Sequence, residues 1–214
     1  MSTTIEVNKQ SVKQFLETGK IKKFVIPEYQ RPYAWTDEQI QVLFDDLAEY
    51  TANNNESTYF LGSIVAYEND HNEQEIIDGQ QRITTLFLFL RAIYAKLENS
   101  CEKEALFLKS QIEPALWEQD DLTGEVKPDK ILIMSRVMWD EGNEEFASIL
   151  VSGEADVKSK SNYSKNYILI QHLLNEYATN EPLSFYRFIS KKAIWMNYSV
   201  SIWKKLSIRF SKRS

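Results

Sequence analysis

Hydrophobic positions in the first fifty residues follow helical spacing, then strand spacing, then helical spacing again. The segment "SVKQ" has the form of a capping box and a glycine follows it closely, which predicts a short helix over residues 11–18. The run "KKFVIP" predicts a strand that ends at Pro27. A second capping-box pattern, "TDEQ", begins at Thr36. Apolar residues three and four positions apart then predict a helix that ends near Tyr50.

The following segment predicts a hairpin and a long helix. "TYFLGSIVAYE" and "EIID" are strand-like runs on either side of the polar turn "NDHNEQ". From Gln80 to Leu97, apolar residues recur at intervals of three and four, which predicts a helix with one broad hydrophobic face. The order helix, strand, helix, strand, strand, helix over residues 1–99 predicts a compact α+β unit.

Residues 100–214 are predicted to be mostly helical. Helical spacing is found in "EKEALFLKSQI", "NEEFASILV", "NYILIQHLLNEYA" and "LSFYRFISKK". The segment "EPALWEQDDLTGEVKPDK" contains two prolines and a glycine, which predicts a loop with a short hairpin. The run "ILIMSRVMW" fits either a strand or a helix. We therefore expect two parts, residues 1–99 and residues 100–214.

Composition and charge narrow the class of protein. Of the 214 residues, 43% are hydrophobic and 13% are aromatic, so a folded core is expected rather than a disordered chain. A net charge of −6 argues against a protein that coats nucleic acid without specificity. Residues 191–214, however, carry seven basic residues and no acidic one. This basic tail is either a solvated, poorly ordered terminus or a DNA-binding segment with Lys204, Lys205 and Arg209 as the contacts.

Several classes of site find no support in the sequence. Cys101 is the only cysteine, which excludes an internal disulfide and fits a cytoplasmic protein. Neither His71 nor His172 belongs to a zinc-site pattern. The chain contains no P-loop, no nucleophile elbow, no leader-like start and no apolar run long enough to cross a membrane, so no membrane partner is expected. The acid pair Asp45 and Asp46 is expected on the solvent face of its helix.

The segment "IIDGQQRITTL" carries the most promising chemistry. Asp78 and Gly79 form a turn after a strand and leave Gln80, Gln81 and Arg82 in the first turn of a helix. Free backbone N–H groups and the helix dipole favour an anion there, and Arg82 can hold phosphate oxygens. Gln80 and Gln81 can orient a water molecule or read a base, and Asp78 can hold a metal ion or activate water. The alternative is a simple strand–turn–helix connection capped by Asp78.

Two further segments accompany this motif. The loop "IPEYQRPYAW" is stiffened by two prolines and contains four candidate ligand-binding residues: Tyr29, Gln30, Arg31 and Trp35. Aromatic rings beside an arginine suit base stacking and phosphate contact, although the loop could equally pack on the domain with Arg31 paired to an acid. In "FLGSI", Gly62 indicates either a close backbone approach or a bulge. Thr84 and Thr85 add hydroxyl groups one step beyond the helix start.

In this order, the three segments resemble the N-terminal domain of the GmrSD-type restriction endonucleases, which are modification-dependent, nucleotide-stimulated anti-phage enzymes. The similarity is close over residues 8–98 and looser to about residue 190. It implies an α+β protein in which a ParB/sulfiredoxin-like, nucleotide-binding N-terminal unit precedes a mostly helical region. It also implies that residues 78–82 form an NTP-binding and hydrolysis motif and that Gln30 and Arg31 line the same pocket.

We therefore expect an NTP-binding and NTP-hydrolysing domain of a DNA restriction system. Arg82 and Arg31 are expected to contact the phosphates. Asp78, with Mg²⁺, is expected to position the attacking water, which Gln80 or Gln81 orients. The other nucleotide-binding candidates are expected to stack on the base or line the pocket: Tyr29, Trp35, Gly79, Thr84 and Thr85. The expected partners are the nucleotide and DNA, including modified phage DNA.

Three alternatives stay open at this point. The domain could bind a nucleotide without hydrolysing it and act as a switch, it could read DNA through its basic tail, or it could cut DNA with Asp78, Glu75 and a metal ion. In the family that it resembles, a separate C-terminal domain with a His-Asn-His type metal site cuts the DNA, and no such cluster is found here. The chain is therefore expected to be either the product of a truncated gene or a natural subunit with a separate nuclease partner.

Overall fold

A computed structural model describes residues 4–52, 58–177 and 193–201, with side chains over residues 7–52 and 58–176. These ranges contain six helices and eight strands. In chain order they are β1 (Thr4–Ser11), α1 (Val12–Ile21), β2 (Phe24–Ile26), α2 (Asp37–Ala52), β3 (Tyr59–Glu68), β4 (Gln74–Asp78), α3 (Gln80–Leu97), α4 (Lys103–Leu116), β5 (Trp117–Gln119), β6 (Val126–Ile131), β7 (Ile133–Ser135), α5 (Asn143–Ser152), α6 (Asn162–Tyr177) and β8 (Ala193–Ser201).

Six of the strands form one mixed sheet in the order β1-β8-β3-β4-β2-β7. Strand β8 is antiparallel to β1 and parallel to β3, whereas β3 and β4 form an antiparallel hairpin. Strands β4, β2 and β7 run parallel to one another, which requires crossover connections such as those made through the helices. Strands β5 and β6 pair separately as an antiparallel ribbon. The fold is therefore a mixed α+β arrangement.

Helix α3 lies in the middle of the hydrophobic core. Apart from the half-buried Arg82, its residues from Gln80 to Ile93 are all buried. Helices α4, α5 and α6 pack against it. A helix that is enclosed on every side has little freedom to move, so its N-terminus is held firmly next to the end of β4.

One charged side chain is enclosed in this core. Arg91 is only 1% exposed, and its guanidinium carbon lies 5.4 Å from the centre of the Tyr94 ring and 5.5 Å from that of Trp117. Its Nε and Nη1 atoms have no hydrogen-bond partner among the described residues. Gly153, which ends α5 with φ +75°, packs against the guanidinium group. Aromatic faces and the C-terminal end of a helix, both of which attract a cation, therefore surround Arg91.

Most of the local predictions are confirmed. The helix predicted over residues 11–18 is α1, and its capping box forms because Ser11 and Gln14 exchange two hydrogen bonds. The helix predicted from Thr36 is α2, the predicted hairpin is β3–β4, and the long helix is α3. The three helices predicted within residues 102–178 correspond to α4, α5 and α6. The helix predicted in "LSFYRFISKK" lies outside the described residues.

Three features of the structure differ from the local expectations. No strand was predicted before the first helix, yet residues 4–11 form β1. The basic tail is not wholly a poorly ordered terminus, because its residues 193–201 form β8 between β1 and β3. Pro114 lies inside α4 rather than in the predicted loop. Strands β7 and β8, which follow residue 99, share the sheet with β1–β4. The division of the chain into two parts near residue 99 stays a prediction.

The loop between β7 and α5 contains a strained tryptophan. Trp139 has φ +62° and is 94% exposed, and a bulky residue in this left-handed region costs free energy. Its neighbours fix the backbone, since Met138 N donates to Glu28 O at 3.1 Å and Gly142 N donates to Asp140 Oδ1 at 3.0 Å. The loop geometry therefore does not depend on the tryptophan side chain.

We expect Trp139→Gly to raise the free energy of unfolding by about 0.5–1 kcal/mol, because glycine adopts a positive φ without strain. Urea denaturation followed by circular dichroism measures the change. Leu122→Gly is the matched control, because Leu122 is 96% exposed without a positive φ, and this substitution should lower stability slightly. A denaturation midpoint that falls equally in both variants would contradict the strain at Trp139.

Candidate functional site

The turn between β4 and α3 leads from an exposed strand end into a buried helix start. Asp78 ends β4 and is exposed, and Gly79 follows at the N-cap position with φ +90° and no side-chain cap hydrogen bond. A side chain at Gly79 would be strained, and its Cβ would lie 2.8 Å from the Ser63 carbonyl oxygen. No side chain of the described residues caps the helix, and an uncapped helix N-terminus favours an anion near its first-turn N–H groups.

Arg82 is fixed beside this helix start by strand β3. Its Nη1 donates to the Ser63 carbonyl oxygen at 2.8 Å, and the guanidinium group lies directly over Gly62. A Cβ at Gly62, where φ is +118°, would stand 2.3 Å from Nη1. Both alternatives predicted at Gly62 are therefore found: the pairing with β8 shifts register between Phe60 and Gly62, as at a bulge, and Arg82 makes the close approach to the backbone. The hydrogen bond to Ser63 gives the arginine a defined position.

Gln81 joins the helix start to the preceding loop. Its Oε1 accepts hydrogen bonds from Ala34 N at 2.7 Å and Trp35 N at 3.2 Å, and its Nε2 donates to Pro32 O at 3.1 Å. The side chain is 6% exposed. Both ends of the amide are thus occupied by the loop, whereas Gln80, its equally buried neighbour, has no such bonds to the loop within the described ranges.

A buried polar network fixes the rest of the loop. Thr85 Oγ1 lies 2.7 Å from Tyr33 Oη and donates to Gln81 O at 2.9 Å. From α6, Asn166 Nδ2 donates to Tyr33 Oη at 3.1 Å and to Trp35 O at 2.8 Å. Burial raises the pKa of Tyr33 to about 12, so its hydroxyl stays protonated. Thr84 and Thr85 are buried, which places their hydroxyl groups inside the domain.

The tip of the same loop contacts β4 and solvent. Gln30 Nε2 donates to the Ile77 carbonyl oxygen at 2.7 Å, one residue before Asp78. Tyr29 is 63% exposed, and partial burial together with the nearby Glu75 carboxylate raises its pKa. Arg31 is exposed. The predicted loop and the predicted motif therefore lie next to each other, while the individual roles of their residues stay predictions.

A cavity of about 380 Å³ opens beside Arg82, between α2, α3 and β3. This volume suits a small organic ligand. Its lining residues are Trp35, Glu38, Gln39, Val42, Leu43, Asp46, Leu47, Tyr59, Leu61, Arg82, Leu86 and Phe89. Of the predicted site residues, Trp35 and Arg82 line the cavity. The walls are otherwise mainly apolar, with two carboxylates contributed by α2.

Sequence patterns did not indicate part of this site. Asp46 was expected on the solvent face of α2, yet it lines the cavity and accepts a hydrogen bond from the Tyr59 hydroxyl at 2.7 Å. Asn166 was not predicted as a site residue either, although its side chain donates hydrogen bonds to Tyr33 Oη and Trp35 O in the loop. Asp46 contacts Tyr59 across the space between α2 and β3, and Asn166 contacts residues 131 and 133 positions earlier, so the spacing of residues within a single element indicated neither position.

Two other groups of residues were predicted to bind a metal ion and DNA. Within the described ranges, no cluster of three or more histidine, cysteine or acidic side chains is placed to hold a metal ion, and Asp78 is a single carboxylate. The DNA-binding candidates Lys204, Lys205 and Arg209 lie outside the described residues. Among the helices that the structure describes, none combines the length and the apolar character needed to cross a lipid bilayer.

Comparison with known families assigns the chain. A family model described as the N-terminal domain of the GmrSD restriction endonuclease matches residues 12–208, which is most of the chain. The chain belongs to this GmrSD N-terminal family. It is thus a domain of a restriction system, as the resemblance of its three segments implied, and such systems act on DNA. A search of curated proteins returned no match. In this GmrSD-type domain, the matched region includes the motif at residues 78–82, the loop before α2 and the whole cavity.

Proposed function

We propose that this GmrSD-type domain binds a nucleoside triphosphate at the N-terminus of α3 and hydrolyses it. The position of Arg82 carries the proposal. It stands beside an uncapped helix N-terminus, is held there by Ser63 O, and lines an apolar cavity. A nucleotide has the same two-part character, with anionic phosphates at one end and a flat aromatic base, joined through the sugar, at the other. The arrangement therefore offers a phosphate site and a base site that share one arginine.

Different residues of the chain would hold the phosphates, enclose the base and orient the attacking water. The N–H groups of the first turn of α3, together with Arg82, hold the phosphates, and aromatic and aliphatic cavity residues such as Trp35 and Leu86 enclose the base. Gln80 orients the attacking water, because both ends of the Gln81 amide already hold the loop. Asp78, an exposed carboxylate at the end of β4, would hold Mg²⁺ together with the substrate phosphates and so help neutralise their charge. Mg²⁺ is usually held in this way, by one or two carboxylates and substrate phosphates.

The wider role follows from the family and is part of the same proposal. We assign the domain a ParB/sulfiredoxin-like fold, which the mixed sheet and the family match support. NTP turnover would be coupled to the recognition of DNA, including modified phage DNA. Cleavage of that DNA would fall to a separate nuclease of the His-Asn-His type.

The first test is a thermal-shift screen over ATP, GTP, CTP and UTP, with and without Mg²⁺. A ligand at a hundredfold excess over its dissociation constant stabilises a protein by about 2.7 kcal/mol, so we expect a rise in melting temperature of roughly 5 °C or more. Arg82→Ala should abolish this shift. Arg136→Ala is the matched control, because Arg136 is a half-exposed arginine paired with Glu73 and does not line the cavity.

Phosphate release under the same conditions tests hydrolysis. Turnover in the unmodified protein, lost in Arg82→Ala and in Gln80→Ala, is the expected result. Binding without release would replace the hydrolase with a nucleotide-dependent switch. If none of the four nucleotides shifts the melting temperature, the nucleotide site itself is refuted.

A further inference from the structure

The wall of the cavity that α2 contributes is unusual for a nucleotide site. Glu38 and Asp46 both line it, and Arg82 is the basic residue of the described lining. Carboxylates repel phosphates, so this wall is unsuited to the triphosphate end of a ligand. An ionised carboxylate only accepts hydrogen bonds. A ligand that enters this part of the cavity must therefore present N–H or O–H donors to α2.

Asp46 is the better fixed of the two carboxylates. The Tyr59 hydroxyl donates to its Oδ2 at 2.7 Å, and Tyr59 packs edge-on against Tyr50 with ring centres 5.1 Å apart. Burial, followed by the hydrogen bond to Asp46, raises the pKa of Tyr59, so the phenol remains a donor at neutral pH. The adjacent Asp45 is exposed, accepts a hydrogen bond from Gln41 Nε2 at 2.9 Å and does not line the cavity. Asp46 alone of this pair faces the ligand space.

We propose that Asp46 selects a guanine base, which makes this domain a guanine-nucleotide-binding protein. The inference rests on the proposed nucleotide site. Guanine carries N1–H and the N2 amino group side by side, and a carboxylate can accept both in a pair of parallel hydrogen bonds. Adenine and cytosine place a ring-nitrogen acceptor next to their single amino group, and uracil places a carbonyl on each side of its N–H. Each of these bases would set an acceptor against the carboxylate.

Three triphosphates test the contributions of N1–H and of the N2 amino group separately, in the unmodified protein. Inosine triphosphate keeps N1–H but lacks the N2 amino group, and ATP lacks both donors. We expect GTP to bind most tightly, with inosine triphosphate weaker by roughly fivefold or more and ATP weaker still. Equal affinity for GTP and inosine triphosphate, measured by isothermal titration calorimetry, would overturn the role of the carboxylate.

Asp46→Asn provides the reciprocal test. The amide can donate as well as accept, so it should lose roughly tenfold or more in GTP affinity and gain in affinity for xanthosine triphosphate, whose C2 carries an oxygen acceptor. Asp45→Asn is the matched control and should leave both affinities unchanged. A merely structural role for Asp46 would weaken all nucleotides equally and produce no such exchange.

The outcomes separate this inference from the proposed function. If no nucleotide binds, both fail. If nucleotides bind but the order of affinities ignores the N1 and N2 donors, the guanine assignment fails and the nucleotide site stands. If Asp46→Asn does not fold, the comparison of GTP with inosine triphosphate still decides the question, because it uses the unmodified protein.

Discussion

Gly153→Ala should destabilise the domain by on the order of 3 kcal/mol or more, which is a large part of the stability of a typical domain. Two separate effects add. The residue has φ +75°, where any side chain is strained, and the new Cβ would lie 2.1 Å from Arg91 Nη2. The tip of an arginine often moves aside at little cost. Arg91 cannot, because it is 1% exposed and packed between the rings of Tyr94 and Trp117.

Gly124→Ala separates the two effects. Gly124 has a similar φ of +71°, and a Cβ there would meet nothing within 4 Å. It should therefore show only the backbone penalty, about 1–2 kcal/mol. Urea denaturation of both variants measures the difference, which represents the clash with Arg91. The double variant Arg91→Ala/Gly153→Ala should show coupling, since removal of the guanidinium group removes the clash. Equal losses for Gly153→Ala and Gly124→Ala would disprove the packing argument.

Gln81→Leu is the second substitution with a large expected effect, a loss of roughly 2–3 kcal/mol together with loss of nucleotide binding. Leucine fills a similar volume but leaves Ala34 N, Trp35 N and Pro32 O without their partner. These hydrogen bonds are partly buried, because Gln81 itself is buried, so water replaces the amide poorly. Because Trp35 lines the cavity, release of its loop should also disturb the ligand site.

Gln39→Leu is the appropriate comparison for this substitution. Gln39 Oε1 also accepts a hydrogen bond from a backbone N–H, that of Thr36, at 2.8 Å, but the position is exposed. Water can replace the amide there, and the expected loss is about 1 kcal/mol or less. Denaturation midpoints of the two variants are compared, and nucleotide affinity is measured for Gln81→Leu alone, because Gln39 lines the cavity. If Gln81→Leu is no worse than Gln39→Leu, the loop is not held by Gln81 in the way that the geometry indicates.

The elements that could be predicted from the sequence are those that depend on nearby residues. The apolar spacing from Gln80 to Leu97 is sufficient to define α3, and the capping box at Ser11 marks the start of α1. The motif at residues 78–82 could also be placed correctly at a helix N-terminus, because a glycine between a strand pattern and a helical pattern indicates the turn that leads into the helix.

What could not be predicted depends on partners far away in the chain. The segment of β8 lies in a basic stretch, and its partners in β1 are about 190 residues earlier. The solvent-facing position expected for Asp46 was wrong because the cavity exists only once α2 packs opposite β3 and Tyr59 reaches the carboxylate. The structural work of Gln81 is likewise set by backbone atoms 46 to 49 positions earlier.

The position of β8 also determines when the sheet can be completed. Thr4 pairs with Ser201 and Ser11 pairs with Ile194, so the first strand that the structure describes cannot pair until the last described strand has been synthesised. Until then the nascent chain presents open edges on β1 and β3, and unpaired edges readily join other chains. Contacts between such distant residues form slowly. Early arrest of synthesis would therefore release a chain with its sheet split in two, which is the kind of species that chaperones retain.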